Sequence, residues 1–466
     1  MADELWRLDA TALAALIRQK DVSAREAVQA HLDRMHAVNP ALNAVVRDLS
    51  DQALAEADAA DRTLKSEGPR GALHGVPITT KINTDQAGLP TDNGVVTLKD
   101  LIASVDNPVI GSLRKAGGIV IGRTNAPAFS MRLTTDNALH GLTYNPWNRD
   151  VTCGGSSGGA GSSLAAGIGA IAQGNDIGGS VRWPAYCNGL VGLRPTIGRI
   201  AGFNETGART AHRGFAGQLM AVNGPLTRSV RDVDLVLPIM AQPDARDPVY
   251  VAAPLTGPEG TRRAALVIED DLPQATKEAV RRAGRHLAAA GYTVEEAMPP
   301  SLDRLPALWG NIGMCELGTL LVPMASKIGD EGMERTTNAF WELLGHRDLE
   351  RYQAALRERD TILRNWSLFL ATFDVVILPA CGALSLAVGC DTKGNDAMRE
   401  VMHAFRFQVG LPVLGLPVLA VPMGMNEGLP MGVQILSARF REDRCIAAGR
   451  IIEAQEPAIT PIDPVP

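Results

Sequence analysis

The chain has 466 residues, 45 % of them apolar and only 4 % aromatic, with 47 glycines. That is enough for a large core, built from small and aliphatic side chains in close approach. A net charge of −6 and a pI of about 5.8 exclude a broadly basic, nucleic-acid-binding surface. Local pairs such as Arg262–Arg263 and Arg281–Arg282 read as solvated charges. The six cysteines, Cys153, Cys187, Cys315, Cys381, Cys390 and Cys445, form no C-x-x-C and no zinc-site spacing, and read as free thiols.

At the N-terminus, early acidic residues and the lack of an apolar segment of signal-peptide length argue against export. Asp9 is placed to cap a first helix with Leu13, Leu16 and Ile17 on one face. Ser23 to Glu26 has capping-box spacing and opens a second helix carrying Val28, Leu32 and Met35. Asn39 and Pro40 are expected to end it, and a third helix fits residues 52–64. Near residue 71 the texture changes to short apolar runs between glycine-rich turns. Residues 118–122 (GIVIG) read as a buried strand, preceded by a helix over 109–116. Residues 162–172 read as a helix, or a helix plus a strand, and another helix falls within 226–240. Residues 263–268 read as a strand and 277–290 as a helix. The stretch 300–370 is helical and more polar. Strands follow at 375–378, 418–421 and 433–436, then a closing helix over 442–453. This alternation predicts an α/β sheet. The longest apolar run, 409–425, holds Pro412, Pro417 and Pro422 and cannot be a membrane-spanning helix. The expectation is a cytoplasmic protein with neither a membrane nor a nucleic-acid partner. One domain over 1–466 is the simplest division, with a helical part (1–70), a core (71–240) and a C-terminal part (241–466).

The densest signal is CGGSSGGAGSS, from Cys153 to Ser163. A second knot, NDIGGSVR, runs from Asn175 to Arg182. Glycine and serine at this density fit neither a regular strand nor a comfortable helix. One reading is a glycine-rich turn. A phosphate cradle lacks its G-x-x-x-x-G-K-[ST] and G-x-G-x-x-G patterns. The third reading is nucleophilic catalysis. Two glycines before a serine let successive N–H groups point one way, as an oxyanion hole requires. GGSSG also matches the G-x-S-x-G elbow around Ser156, which would need an apolar strand before it. Here polar, turn-like residues precede it. A catalytic histidine would have to be His212, His286, His346 or His403, none in an informative context.

The run GGSSGGAGSSLAAG followed by NDIGGSVRWPAYCNGLVGLRPTIGR resembles the hallmark of the amidase signature family. Further similar stretches begin at Gly75 (GVPITTKINTDQAGLPT), Gly117 (GGIVIGRTNAPAF), Gly224 (GPLTRSVRD) and Gly428 (GLPMGVQIL). The resemblance implies an α/β fold with a large mixed twisted sheet covered by helices on both faces. It implies amide hydrolysis by a serine–serine–lysine triad, with no metal or organic cofactor. Carried over motif by motif, Lys81 is the base, Ser156 the bridging serine, preceded by a cis peptide, and Ser180 the nucleophile. Ile177, Gly178, Gly179 and Ser180 would offer the oxyanion hole. Ser157, Asp176 and Arg182 would support the loop, Arg182 through backbone carbonyls rather than on a substrate carboxylate. The sequence departs from the family pattern at Ile82, Cys153 and Ile197, where an acidic residue, proline and tyrosine are common. Asp85 keeps a later acidic position. The expected substrate is a small amide; anilides, carbamates and aryl esters present a similar acyl carbon. The same triad would serve an amidotransferase subunit that passes ammonia to a partner. Pocket residues are expected from 125–135, 300–370 and the 380s, and the oligomeric state stays open, a homodimer included.

Overall fold

The computed structural model describes residues 2–210 and 213–465. The predicted N-terminal helices are present as α1 (Ala10–Gln19), α2 (Ala24–Leu42) and α3 (Ser50–Ser66). Asp9 caps α1 by accepting from the Ala12 N–H, and Ser23 with Glu26 forms the capping box of α2. Pro40 does not end α2; the helix runs on to Leu42 and stops at Asn43, which takes the left-handed conformation. Between α2 and α3 lies an edge strand not predicted from the sequence, β1 (Val45–Asp48). At four residues it is too short for an alternating pattern to register.

The chain continues through β2 (Pro77–Lys81), α4 (Pro108–Lys115), β3 (Ile119–Thr124), α5 (Gly158–Ala165), β4 (Ile171–Asp176) and α6 (Arg182–Asn188). Then come β5 (Val191–Arg194), α7 (Glu205–Thr210), α8 (Phe215–Met220), β6 (Val222–Thr227) and α9 (Val230–Met240). The last part holds β7 (Arg263–Leu266), α10 (Gln274–Ala289) and β8 (Thr293–Glu296). A helical stretch follows, α11 (Leu305–Trp309), α12 (Cys315–Ile328), α13 (Glu331–Leu344) and α14 (Leu349–Thr372). The chain closes with β9 (Val375–Pro379), α15 (Asn395–Ala404), α16 (Arg406–Val409), β10 (Val418–Asn426), β11 (Leu429–Ser437) and α17 (Glu442–Glu453). Residues 302–328 are long and apolar enough to cross a membrane, but half of the most apolar window packs inside the fold, as a core helix does.

All eleven strands form one mixed sheet in the order β1-β3-β2-β4-β6-β5-β10-β11-β9-β7-β8. β2 runs parallel to both β3 and β4, whereas β6, β5, β10 and β11 are joined to one another antiparallel. Side chains alternate between faces along a strand, and both faces are covered. On β9, Val375 and Ile377 belong to one apolar cluster with α1, α9, α10 and α17, while Val376 and Leu378 belong to another with Trp183, Trp366 and Phe405. On β3, Val120 faces the first cluster, and Ile119 and Ile121 meet α2 and α3. Such two-sided burial explains why these strands read as continuous apolar runs.

β6 (VNGPLT) was not legible as a strand, because Gly224 and Pro225 argue against a central position. It nonetheless pairs with both β4 and β5. A Cβ at Gly224 would run into the carbonyl of Leu193 on β5, so only glycine lets the two backbones approach. Gly224→Ala is therefore expected to cost about 1–3 kcal/mol, seen as a lowered urea midpoint. An unchanged midpoint would contradict this packing.

Candidate active site

The site is built where β2 and β4 end side by side. Carboxyl ends of adjacent parallel strands are where α/β sheets present their loops to ligands. Lys81 is the last residue of β2, whose five residues are all buried. Ser156 lies in the glycine-rich loop before α5, after a cis Gly155–Ser156 peptide. No named strand precedes that loop; only isolated bridges at Val151 and Thr152 do, so the elbow geometry is not present. Ser180 sits in the turn between β4 and α6, and the Ser157 N–H donates to its carbonyl at 3.3 Å. The two serine loops are thereby joined. Ser156 and Ser180 line one cleft of about 520 Å³.

The Lys81 ammonium nitrogen lies 2.7 Å from Ser156 Oγ and 2.9 Å from Asn175 Oδ1. Its backbone is fixed as well: the N–H donates to Gln173 Oε1 at 3.2 Å, and the carbonyl accepts from Arg123 at 3.0 Å. Burial drives the Lys81 pKa well below the ordinary 10.5, opposed by the negative charge of Asp176. The buried Ile82 side chain adds no charge beside it. Asp85 is occupied elsewhere, accepting from Thr91 and Thr206.

Asp176 organises the Ser180 turn. Its carboxylate accepts from the N–H groups of Gly179 (2.8 Å) and Val181 (3.3 Å), and from Arg182 and Arg194. The two guanidiniums and these hydrogen bonds outweigh burial and hold its pKa at about 2. Arg182 is fully buried and reaches Gln434 Oε1 (2.7 Å) and the Gln408 carbonyl (2.9 Å) as well. It thus ties the loop chiefly through side-chain partners, not backbone carbonyls alone. Gln434, from the GLPMGVQIL stretch, in turn donates to the carbonyls of Pro379 and Phe407.

One expected oxyanion donor is corrected. The Gly179 N–H points at Asp176 Oδ1 and is not available to a ligand. Gly179 instead supplies conformation: its φ is +113°, and a Cβ there would meet Gln408. The N–H groups of Ile177, Gly178 and Ser180 donate to no group among the described residues. Trp309 Nε1 donates to the Ile177 carbonyl at 2.9 Å and backs this turn.

The candidate histidines do not converge on a serine. His286 pairs with Glu456, His346 with the Asn311 carbonyl and His403 with Asp271; His212 lies outside the described residues. Cys153, at a position where proline is common in the family, is a buried thiol whose pKa is pushed up to about 12. The pocket expectation also needs correction. Of 125–135 only Ser130 lines the cleft, and neither 300–370 nor the 380s does; its wall comes mainly from residues 197–223 and 247–249, including Ile197, Ile200, Phe203, Val222 and Val249. These loop residues carry no motif, so no sequence signal marked them. Asn175 and Asn83 were missed as well, although Asn175 stands inside the second knot.

The Amidase family profile matches residues 26–446. The chain is 46 % identical over 455 residues to an indoleacetamide hydrolase of Bradyrhizobium diazoefficiens, covering 96 % of this chain and 86 % of that protein. It is 33 % identical to an acylamidase of Rhodococcus erythropolis, covering 94 % and 93 %. Among solved structures it is similar to 6-aminohexanoate cyclic dimer hydrolase (TM-score 0.83, 26 % identity, 97 % and 98 % covered). A bacterial aryl acylamidase of the amidase signature family gives TM-score 0.82 at 26 % identity, with 96 % of each chain covered. The fold and these relatives define an amidohydrolase that cleaves the C–N bond of an amide. The chain belongs to the amidase signature family.

Breaking one partner of a buried ion pair leaves an uncompensated charge. Arg182→Ala is expected to cost about 3–5 kcal/mol. Asp176, with its folded pKa of about 2 against an ordinary 3.8, adds stability above pH 3.8 that is lost as pH falls through 2. In Arg182→Ala the folded pKa of Asp176 should rise toward 3.8, so this acid-dependent loss should shrink, as urea unfolding at several pH values would report.

Proposed function

We propose that the chain hydrolyses a small amide of the indoleacetamide type through an acyl-enzyme on Ser180. The observation that carries the mechanism is the 2.7 Å contact between buried Lys81 and Ser156, a serine that lines the same cleft as Ser180. The substrate class is supported by 46 % identity to an indoleacetamide hydrolase along 96 % of the chain, and by the apolar wall of Ile200, Phe203 and Val222. Carbamates and anilides offer a similar acyl carbon and belong in the same substrate panel. An ammonia-supplying amidotransferase subunit is less supported, since relatives of that kind are 30 % identical. Six free cysteines fit a reducing, cytoplasmic setting.

An amide is a poor electrophile with a poor leaving group. Ser180 Oγ attacks the carbonyl carbon as its proton passes to Ser156 Oγ, whose own proton moves to Lys81 Nζ. The carbonyl electrons move onto oxygen, which faces the N–H groups of Ile177, Gly178 and Ser180. On collapse the C–N bond breaks, and the leaving nitrogen takes a proton from Ser156, replenished by Lys81. Water then cleaves the acyl-enzyme by the same route. Asp176 and Arg182 hold the turn, and Ser157 holds Ser180.

Lys81 accepts a proton only when neutral. Its lowered pKa places the rising limb of kcat/KM below 10.5, and protonation at lower pH removes the base. A limb below about pH 5 would be hard to reconcile with a lysine base. Fluorophosphonate labelling with peptide mapping is expected to mark Ser180, and Lys81→Ala should lose both the label and about 10²–10⁴-fold in indoleacetamide hydrolysis. A label on Ser156 or Ser157 would overturn the assignment.

A further inference from the structure

We propose that Asn175 is a positioning residue that turns the lone pair of neutral Lys81 onto Ser156, and that Asn83 and Ser130 hold it in place. The proposal rests on Lys81 acting as the base. A neutral amine carries two N–H groups and one lone pair. An amide oxygen can only accept, so Asn175 Oδ1 at 2.9 Å takes an N–H. One N–H and the lone pair remain, and in the base role the lone pair is the one that meets the Ser156 hydroxyl at 2.7 Å.

The Asn175 amide is itself fixed. Its Nδ2 donates to Asn83 Oδ1 at 2.8 Å. Asn83 Nδ2 donates to Ser130 Oγ at 2.9 Å, and the Asn83 backbone carbonyl accepts from Asn204 at 2.8 Å. Ser130 is presented from a turn in which Phe129 and Ser130 both have positive φ, +48° and +60°. The relay crosses three segments: the loop after β2, the turn after β3 and the end of β4. All three relay side chains line the cleft.

The relay is neutral, and that decides its use. The charged groups around Lys81 are engaged elsewhere. Asp176 on β4 is bound by Arg182 of α6 and Arg194 of β5. Arg123 of β3 donates to the backbone carbonyls of Lys81 and Thr84, and Asp85 accepts from Thr91 and Thr206. Among the described residues, no carboxylate bonds to the Lys81 nitrogen. Asn175 therefore orients the amine while favouring its charged form far less than a carboxylate at the same place would.

The test is a pair of substitutions with opposite expected effects on the pH profile. Asn175→Asp sets a carboxylate against the amine and should move the rising limb of kcat/KM up by about 1–3 pH units. Asn175→Ala removes an acceptor that favours the charged form, so the limb should move down. At the plateau, kcat should fall on the order of 10- to 100-fold with KM little changed. A residue with no part in orienting the amine would leave kcat at the plateau unchanged even where the limb moves. If Lys81→Ala keeps the Ser180 label, the lysine-base reading falls and the relay with it. If Lys81→Ala loses the label but Asn175→Asp leaves the limb in place, the relay alone is overturned. Thermal melting checks the fold of each variant. Should neither Asn175 variant fold, Asn83→Ala decides: lower kcat at unchanged KM supports the relay, and unchanged kcat overturns it.

Discussion

The Ser180 turn depends on one buried carboxylate. Asp176 holds two guanidiniums and two backbone N–H groups at once, and its geometry sets which N–H groups remain open to the cleft. A lone buried charge is costly, whereas a charge with several well-placed partners is tolerated. That saturation also shapes the surroundings of Lys81. Asp176 is a source of negative potential for the lysine, yet its oxygens are committed to arginine and backbone N–H groups. The lysine is left in a dry setting in which the neutral form is favoured. Two opposite electrostatic demands, a charged anchor and an amine whose neutral form is favoured, are met at the adjacent ends of β2 and β4.

The sequence marked the residues that meet in the cleft more readily than it marked their frame. The two serine-bearing knots and Lys81 stand in motifs whose residue types are constrained by sharp backbone turns and burial, and such constraints are local. The helices with capping signals, α1 and α2, were legible for the same reason, as were the two-sided apolar strands β3, β9, β10 and β11. β1, β2, β5 and β6 were not. They are short, all but β1 begin with or contain proline or glycine, and they owe their extended form to neighbours far along the chain. Pro40 misled in the opposite direction, since packing of α2 carries the helix past it. Within the site, Gly179 shows the limit of motif reasoning. Its place in the G-G-S triplet suggested an N–H donor, but the triplet uses it for its left-handed backbone and gives its N–H to Asp176.

The cleft wall was illegible for a different reason. Residues 197–223 and 247–249 become neighbours only through the sheet order, and no periodicity within a loop records that. This division suits a fold whose catalytic elements stay constant while substrate walls vary, because loops on a rigid scaffold tolerate change more readily than strand ends do.

Arg182 also has a consequence for the order in which the molecule becomes competent. Its partners include Gln408 and Gln434, 226 and 252 residues further along the chain. A polypeptide emerging from the ribosome carries Lys81, Ser156 and Ser180 long before it carries these anchors. Until the final strands arrive, the guanidinium beneath the serine turn lacks two of its partners, and the turn has no fixed support from the C-terminal half. The Ser180 turn is thus kept from completion during synthesis by the distance between a loop and the last residues that brace it.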